Sequence, residues 1–569
     1  MRLPGFPRHA QRLCMLAFSL SLIGACSMLP LAVDTNATAP VLDGFGATTL
    51  VPSQANEAAR RLFAQGIAQA YAFNEDEAVR SFKAALAQDP QCGMCAWGVA
   101  LQLGPNINWT ERGDLSEAIK YVGYALKHSE GASKRDAALI KSLALRYGHQ
   151  SARAIAPPPG AVCRKTGSDK PADPLDLAYA DYMLQLARQF PNDPDVLVLY
   201  AEADMVATPG DFWDRDTGQP VGRIGELTAM LEAGLARHPD HVGLHHYMIH
   251  AASSIPQAGR ALRSADVLGK LAPKSPHLLH MPAHTYAYLG RYAEATRVNQ
   301  LAVAADESQI LELKKQGFKD TKDWRRHNTE FQVYAALMEG RGELALETAR
   351  ALAGRAKGDH EFGEFTRSLP MITMLNLQRW DALIKEPMPK GEQGMASVMG
   401  EMTRGIAMAR SGQLDNARSA LEKLKPKAAA LLAKHTGDDG GAKIMRSLVT
   451  SAQAQLGAEI AFADKRIDAA VKLQNEAVQA AYHVEKMEPP MLANGPRQRL
   501  AWMQLRAKRF GDAEKSLRDE LVIHPRNGWA YQGLEVALKE QGKKAEAQAV
   551  QRELASSWPL ADKALRSAL

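Results

Sequence analysis

The chain has 569 residues, of which 46% are hydrophobic and 23% charged, a length and balance that describe an ordered globular body with room for several cores rather than a disordered polypeptide. Its formal net charge of +6 is spread thinly, with no run of five or six basic residues, so there is no electrostatic footprint for nucleic acid.

At the N-terminus, Arg2, Arg8 and Arg12 precede an apolar run from Leu13 to Ile23 that is too short to span a bilayer as a mature helix. Residues 1–26 therefore read as a secretory signal. Its end, Ile23-Gly24-Ala25-Cys26, resembles a bacterial lipobox, whose cysteine is acylated and becomes the first residue of the mature protein. Ser27 after that cysteine favours, by the same resemblance, an outer-membrane anchor facing the periplasm. Simple cleavage and secretion is the alternative. The expectation is a protein of the bacterial cell envelope that meets the membrane only through a lipid on Cys26, with residues 27–50, rich in small and turn-forming types, as a flexible tether.

Residues 51–154 follow as a first group of helices and carry Cys92-Gly-Met-Cys95. This is not a c-type haem site, because Ala96 rather than His comes next. In an oxidising compartment it reads as a local disulfide, with metal ligation and redox activity as alternatives. Residues 155–174 are a proline-rich loop that holds Cys163; 175–435 form a central helical group, 436–443 a break between halves, and 444–569 a C-terminal helical group.

The helical groups repeat. EAVRSFKAALAQDP at 77–90 aligns without gaps on DAEKSLRDELVIHP at 512–525, a helix ended by proline and written twice. GRYAEA (290–295), GRGELA (340–345) and GKKAEA (542–547) share one grammar, in which Gly ends a helix and Ala opens the close-packed start of the next. These segments resemble tetratricopeptide (TPR) repeats, helical hairpins of 34 residues. Pro239 and Pro273 are 34 residues apart, as are Ala261 and Ala295, which sets hairpins 242–275 and 276–309 in register. The predicted fold class is all-α, an α-solenoid of tetratricopeptide-type hairpins forming a superhelix with a concave groove.

In this register His246 and His280 fall at position five of their repeats, His250 and His284 at position nine, and His277 at position two. A third hairpin starting near Arg326 puts His327 at position two and Glu330 at position five. The resemblance implies that positions two, five and nine face the groove. Residues four apart share a helical face, and packed helices stand roughly 8–10 Å apart, so these side chains are expected to converge on one volume. Neutral imidazole is the commonest protein ligand of zinc and copper, which makes His246, His250, His280, His284 and His327 candidate ligands, with His277, Glu330, Tyr247 and Tyr286 as groove residues. The alternative is a polar groove in which the histidines satisfy one another and no metal binds. His241 and His245 lie off that face as surface or packing residues, and His238 ends a helix.

Familiar catalytic motifs are missing. A zinc-protease helix needs Glu beside its first histidine, where this chain has Tyr247 and Met281. There is no G-x-S-x-G elbow, P-loop or dinucleotide fingerprint. Together CGMCAWGVALQLGPNIN, WDRDTGQP, HHYMIHA, HMPAHTY, HNTEFQVYAALMEGR, MEPP and NGWAYQGL resemble a widespread family of bacterial tetratricopeptide-repeat lipoproteins, over most of residues 55–555. That family usually reads H-N-x-H-F in its third segment and carries a glutamate after the last histidine of the first; this chain has Glu330 and Ser253 there. The resemblance implies a polar cluster but no reaction. Two functions follow as expectations: a scaffold whose groove holds a peptide or protein partner, or a metal carrier or hydrolase in which the histidines hold the ion and Glu330 is the base.

Overall fold

Alanines at the helix crossings set the architecture. Ala78, Ala295, Ala345 and Ala513 are completely buried near the start of the second helix of their hairpins, where a single methyl lets two helices approach to roughly 8 Å. The computed structural model describes residues 31–110, 112–149, 151, 172–215, 217–319, 324–358 and 360–566. The expected leader with Cys26, the first residues of the tether, Cys163 and nearly all of the 155–174 loop lie outside them. The chain is an all-α solenoid of paired helices, from Glu57–Tyr71 with Glu75–Gln88 to Gly528–Glu540 with Lys544–Ser557. Among the described residues there are no strands, only the isolated bridges Asn106 to Trp109 and Trp213 to Pro220. No helix among them is long and apolar enough to cross a membrane.

Three consecutive hairpins matter most. In the first, Val242–Ala251 is followed by Leu262–Leu271; in the second, Pro276–His280 and Pro282–Tyr288 are followed by Tyr292–Lys315; in the third, Arg325–Met338 is followed by Gly342–Arg355. His241 and Ser275 cap the first two in the same way, each accepting from the backbone N–H three residues on, at Leu244 and Leu278. Pro282 has no N–H and interrupts the second hairpin's opening helix. Met281 nonetheless keeps helical dihedrals (φ −50°, ψ −38°), so His284 stays in line with His280. The Tyr292–Lys315 helix runs for 24 residues against 10 for Leu262–Leu271, which delays the third hairpin to Arg325.

Within 436–443 only a short link precedes the Gly440–Ala463 helix, which follows Leu414–Lys434 inside a continuous core: Ala428 and Leu431 before it and Met445 and Leu448 after it pack in one cluster that runs from Val333 to Leu565. The tether is docked in its second part. Phe45 and Leu50 are buried, Lys274 N–H donates to the Gly44 carbonyl, and Lys274 Nζ meets Asp43 at 2.6 Å. Composition alone suggests flexibility there, but Phe45, Leu50 and the partly buried Leu42 give it apolar anchors.

The solenoid returns on itself. Trp529 and Trp558 donate their indole N–H groups to the carbonyls of Leu337 and Met338, and Tyr292 O–H donates to the Pro525 carbonyl. Gly340 makes this possible. It has φ +78°, and a Cβ there would stand 2.6 Å from the Ala561 methyl.

Candidate metal centres

The six groove histidines separate into two centres. In the first, His246 Nε2 lies 3.1 Å from both His250 Nε2 and His277 Nε2. In the second, His280 Nε2 lies 2.9 Å from His284 Nε2 and 3.1 Å from His327 Nε2. Each centre takes positions five and nine from one hairpin and position two from the next, and within each the three candidate ligand atoms fall within 4.8 Å of one another. The centres are neighbours, with the His277 and His280 rings 6.3 Å apart.

The hydrogen bonds around each central histidine fix its tautomer. His246 Nδ1–H donates to the Tyr71 carbonyl at 2.7 Å, and His280 Nδ1–H donates to Asn299 Oδ1 at 2.7 Å, whose amide in turn donates to the Ala295 carbonyl. In a neutral ring the Nε2 atom is then a bare lone pair aimed at two further Nε2 atoms. One lone pair can take one proton, so a second neighbour at 3.1 Å is left badly matched. A cation resolves this. Tetrahedral bonds of 2.0–2.1 Å place ligand nitrogens roughly 3.3 Å apart, close to the spacing seen.

Burial keeps four of these rings neutral. It pushes His246 and His327 down to about 3 from an ordinary value of 6.5, and His250 and His280 well below that value, with the neighbouring histidines adding to the effect. Phe73 stacks on His250 and His277, and Phe331 sets its ring edge-on to His280, His284 and His327. A stability consequence follows for the metal-free protein. Between pH 6.5 and about 3 the unfolded chain takes up protons that the folded one refuses, so this contribution is fully present above pH 6.5 and is lost as pH falls below it. Calorimetry in EDTA should give a melting temperature flat in this respect above pH 7 and falling steadily below 6.5; a melting temperature that rises on acidification would contradict neutral buried rings.

The second centre has a carboxylate behind it. Glu488 Oε2 accepts from His284 Nδ1–H at 2.5 Å, and its other oxygen takes the Tyr288 hydroxyl. This is the carboxylate–histidine pairing that orients a metal ligand and raises its basicity. Glu488→Gln is expected to weaken zinc binding at the second centre by about 10–100-fold and to leave the first unchanged; competition with a fluorescent zinc chelator reads both, and equal loss at the two centres would count against the pairing.

All five candidate ligands are in these centres, but not in one volume, and His277, expected only to line the groove, completes the first. The division has a geometric reason: the superhelix sets position two of each hairpin against positions five and nine of the hairpin before. Among the described residues Glu330 makes no hydrogen bond or ion pair with a histidine. It is bound by Arg326 at 2.9 and 3.1 Å and by the Thr366 hydroxyl at 3.3 Å, and burial raises its carboxyl above the ordinary value. Tyr247 turns its hydroxyl to Glu202 and Tyr286 bonds Asp266 at 2.8 Å, so neither offers its oxygen to a centre. His245 is packed between Ser264 and the Pro239 carbonyl, and His241 meets Asp195 at 3.2 Å. Cys92 and Cys95 form a disulfide at the start of the Gly93–Gln102 helix, out of metal chemistry. Glu488, Asn299, Phe73 and the Tyr71 carbonyl carry no sequence signal of their own, apart from the MEPP motif that contains Glu488.

Fold and centres together define an all-α tetratricopeptide-type solenoid with two three-histidine sites. No known protein family matches the chain, and no curated protein is significantly similar to it. Among solved structures it is similar to the human IFIT1 dimer with m7Gppp-AAAA, at 10% identity over 89% of this chain and 91% of that one, with a TM-score of 0.31. It is also similar to the APC/C hetero-tetramer Cut9-Hcn1, at 11% identity over 89% and 94% with a TM-score of 0.24. The TPR domain of P58(IPK) matches at 11% identity over 85% and 99%, with a TM-score of 0.21. Likeness at this level carries no argument about binding or activity.

Proposed function

We propose that this protein binds two divalent transition-metal ions, zinc or copper, side by side, and that the second ion is the reactive one in a metal-dependent hydrolase. The supporting observation is that six Nε2 atoms from three consecutive hairpins point at two common volumes, with the central ring of each locked in the ligating tautomer. Three neutral imidazoles with an open fourth position form a ligand set of catalytic zinc, and imidazole suits copper as well. The second centre opens through His327 and Glu488 on a cavity of about 1090 Å³, which a simple metal carrier does not need. An ion there supplies Lewis acidity or an activated water. The protein's own groups hold His284 in place through Glu488 and offer Glu330, on the cavity wall with a raised carboxyl, to take a proton. Elemental analysis of untagged protein should find two equivalents of metal per chain; a chain that stays metal-free after incubation with zinc and copper would overturn the reading.

The N-terminal pattern supports a site of action in the periplasm, on a lipid anchor at Cys26. Cys26→Ser is expected to move the protein from the membrane to the soluble fraction, and unchanged fractionation would reject the anchor. A second reading, a protein or peptide partner on the concave face, is favoured by the same cavity, whose mouth carries the half-exposed Phe362. The chain's own segment 486–494 already crosses that face, however: Lys486 reaches Asp211, Glu488 reaches His284, and the Ala493 carbonyl takes the Asn376 amide. What room remains suits a chain end or a small molecule better than a long peptide.

A further inference from the structure

The cavity beside the second centre is built unevenly, and its two ends differ. It lies between the Arg325–Met338 helix, the end of Gly342–Arg355, the Glu361–Asn376 helix and the 486–494 segment. Near the metal end stand Arg325, Arg326, Arg355 and Lys357, against only two carboxylates, Glu330 and Glu488. Both carboxylates are engaged, Glu330 by Arg326 and Glu488 by His284 and Tyr288. Arg355 reaches no carboxylate nearer than Glu307, at 3.7 Å, and exposed Lys357 makes no ion pair among the described residues. Among the described residues the lining therefore carries more cations than carboxylates, with Lys357 exposed and Arg355 held only by Glu307 and the Thr329 hydroxyl at 3.5 Å.

Inward, the walls turn apolar. Leu337, Phe365, Leu369, Ile372 and Met491 line the space, which ends at Thr373 and Asn376, the latter held in place by Arg499 at 2.7 Å. Thr366, which touches Glu330 at the metal end, and Asn376 are ten residues apart on one helix, a rise of about 15 Å and the length of a medium alkyl chain. The volume, about 1090 Å³, is slightly above the ~300–1,000 Å³ that small-molecule pockets use.

We infer that this cavity binds an amphipathic anion, an apolar chain ending in a carboxylate, with the carboxylate beside Arg355, Lys357 and the second metal centre and the chain running inward along Leu369 and Ile372. A cationic ligand would face an excess of like charge at the mouth, and a fully polar one would leave the inner walls wet. The shared chemistry has two sources, a fatty acid or the C-terminus of an apolar peptide. The inference deepens the metal reading by naming a substrate class, but occupancy of the cavity does not itself require the ion, so the two can fail separately.

The test is titration calorimetry on the whole protein, stripped with EDTA and again loaded with zinc, using sodium decanoate and decan-1-ol. Stripped protein is expected to bind decanoate at least tenfold more tightly than the alcohol, and zinc to tighten the acid alone. The exposed double change Arg355→Glu with Lys357→Glu should abolish that preference while the alcohol still binds, and Leu369→Trp should remove both ligands. Competition by acetyl-Leu-Leu-Phe with a free carboxylate, but not by its amide, would assign the ligand to peptide ends; no competition by either would assign it to fatty acids. Equal affinity for acid and alcohol, a preference that survives charge reversal, or no binding of any probe would overturn the inference. Decanoate binding with full charge dependence in a protein that takes up no zinc or copper would sink the metal reading and leave this one standing.

Discussion

Protein carrying His280→Ala is expected to bind one equivalent of zinc instead of two. His280 stands in the middle of the second centre, 2.9 Å from His284 Nε2 and 3.1 Å from His327 Nε2, and is the one ring in that trio whose orientation is fixed by Asn299. Its removal leaves two donors, too few for a three-imidazole site, and takes away the lone pair toward which both others point. The first centre shares no ligand with it and should keep its ion. Since losing even an outer partner of a ligand lowers affinity about 10–100-fold, loss of the central ligand should exceed that range. His246→Ala should mirror the result by emptying the first centre alone, and the double variant should bind none. Mass spectrometry of the native protein counts the ions directly. Loss of both ions from either single variant would show that the centres are one indivisible site, and retention of both would show that neither ring is a ligand.

Trp529→Ala should remove about 3–5 kcal/mol of stability, the range for deleting a large buried aromatic side chain. The indole is 3% exposed and packs between Trp502 and Trp558, at centroid distances of 6.1 and 5.0 Å. It is also one of the joints by which the C-terminal hairpins return to the central ones, since its N–H satisfies the Leu337 carbonyl 192 residues away. The substitution opens a cavity and removes the indole's hydrogen bond to a carbonyl that otherwise keeps only the Gly340 N–H at 3.1 Å. Urea unfolding should show the loss as a lower midpoint at unchanged slope. Because Glu488 belongs to the returning half, zinc affinity at the second centre should fall in the same variant while the first is spared. A destabilisation below about 1 kcal/mol would mean that the return contact holds little.

The sequence made the hairpin register legible because it is local. A glycine that ends one helix and an alanine that starts the next occur within six residues, and proline marks recur at fixed spacing, so His246 and His280 could be aligned without knowledge of the fold. Once the register was set, the groove-facing positions followed from the resemblance to tetratricopeptide repeats. How they group was not legible, because that depends on the offset between stacked hairpins, which no spacing within a helix encodes; five histidines expected in one volume became members of two trios, with His277 raised from bystander to candidate ligand. Least legible were contacts brought from afar. Glu488 meets His284 across 204 residues and Tyr71 meets His246 across 175, and nothing near either residue announces its partner. Glu330, one turn from His327, looked the better acid on spacing alone, and Arg326 four residues before it explains where its charge went.

The pairing of positions five and nine with the next position two makes the histidine trio a periodic object, like a bond between monomers. Only the hairpin from Pro276 carries histidine at all three positions, and so contributes to the centre before it and the centre after it. The hairpin from Val242 starts the series, because its position two is Gly243, where a Cβ would stand 2.9 Å from Val198 and 3.0 Å from Tyr71. The hairpin at Arg325 ends it, with Glu330 and Tyr334 at positions five and nine. The middle hairpin is thus a propagating unit between an initiator and a terminator. A chain in which that unit were written twice would carry three histidine trios in a row, and natural lengthening by gene duplication would extend the row one trio at a time.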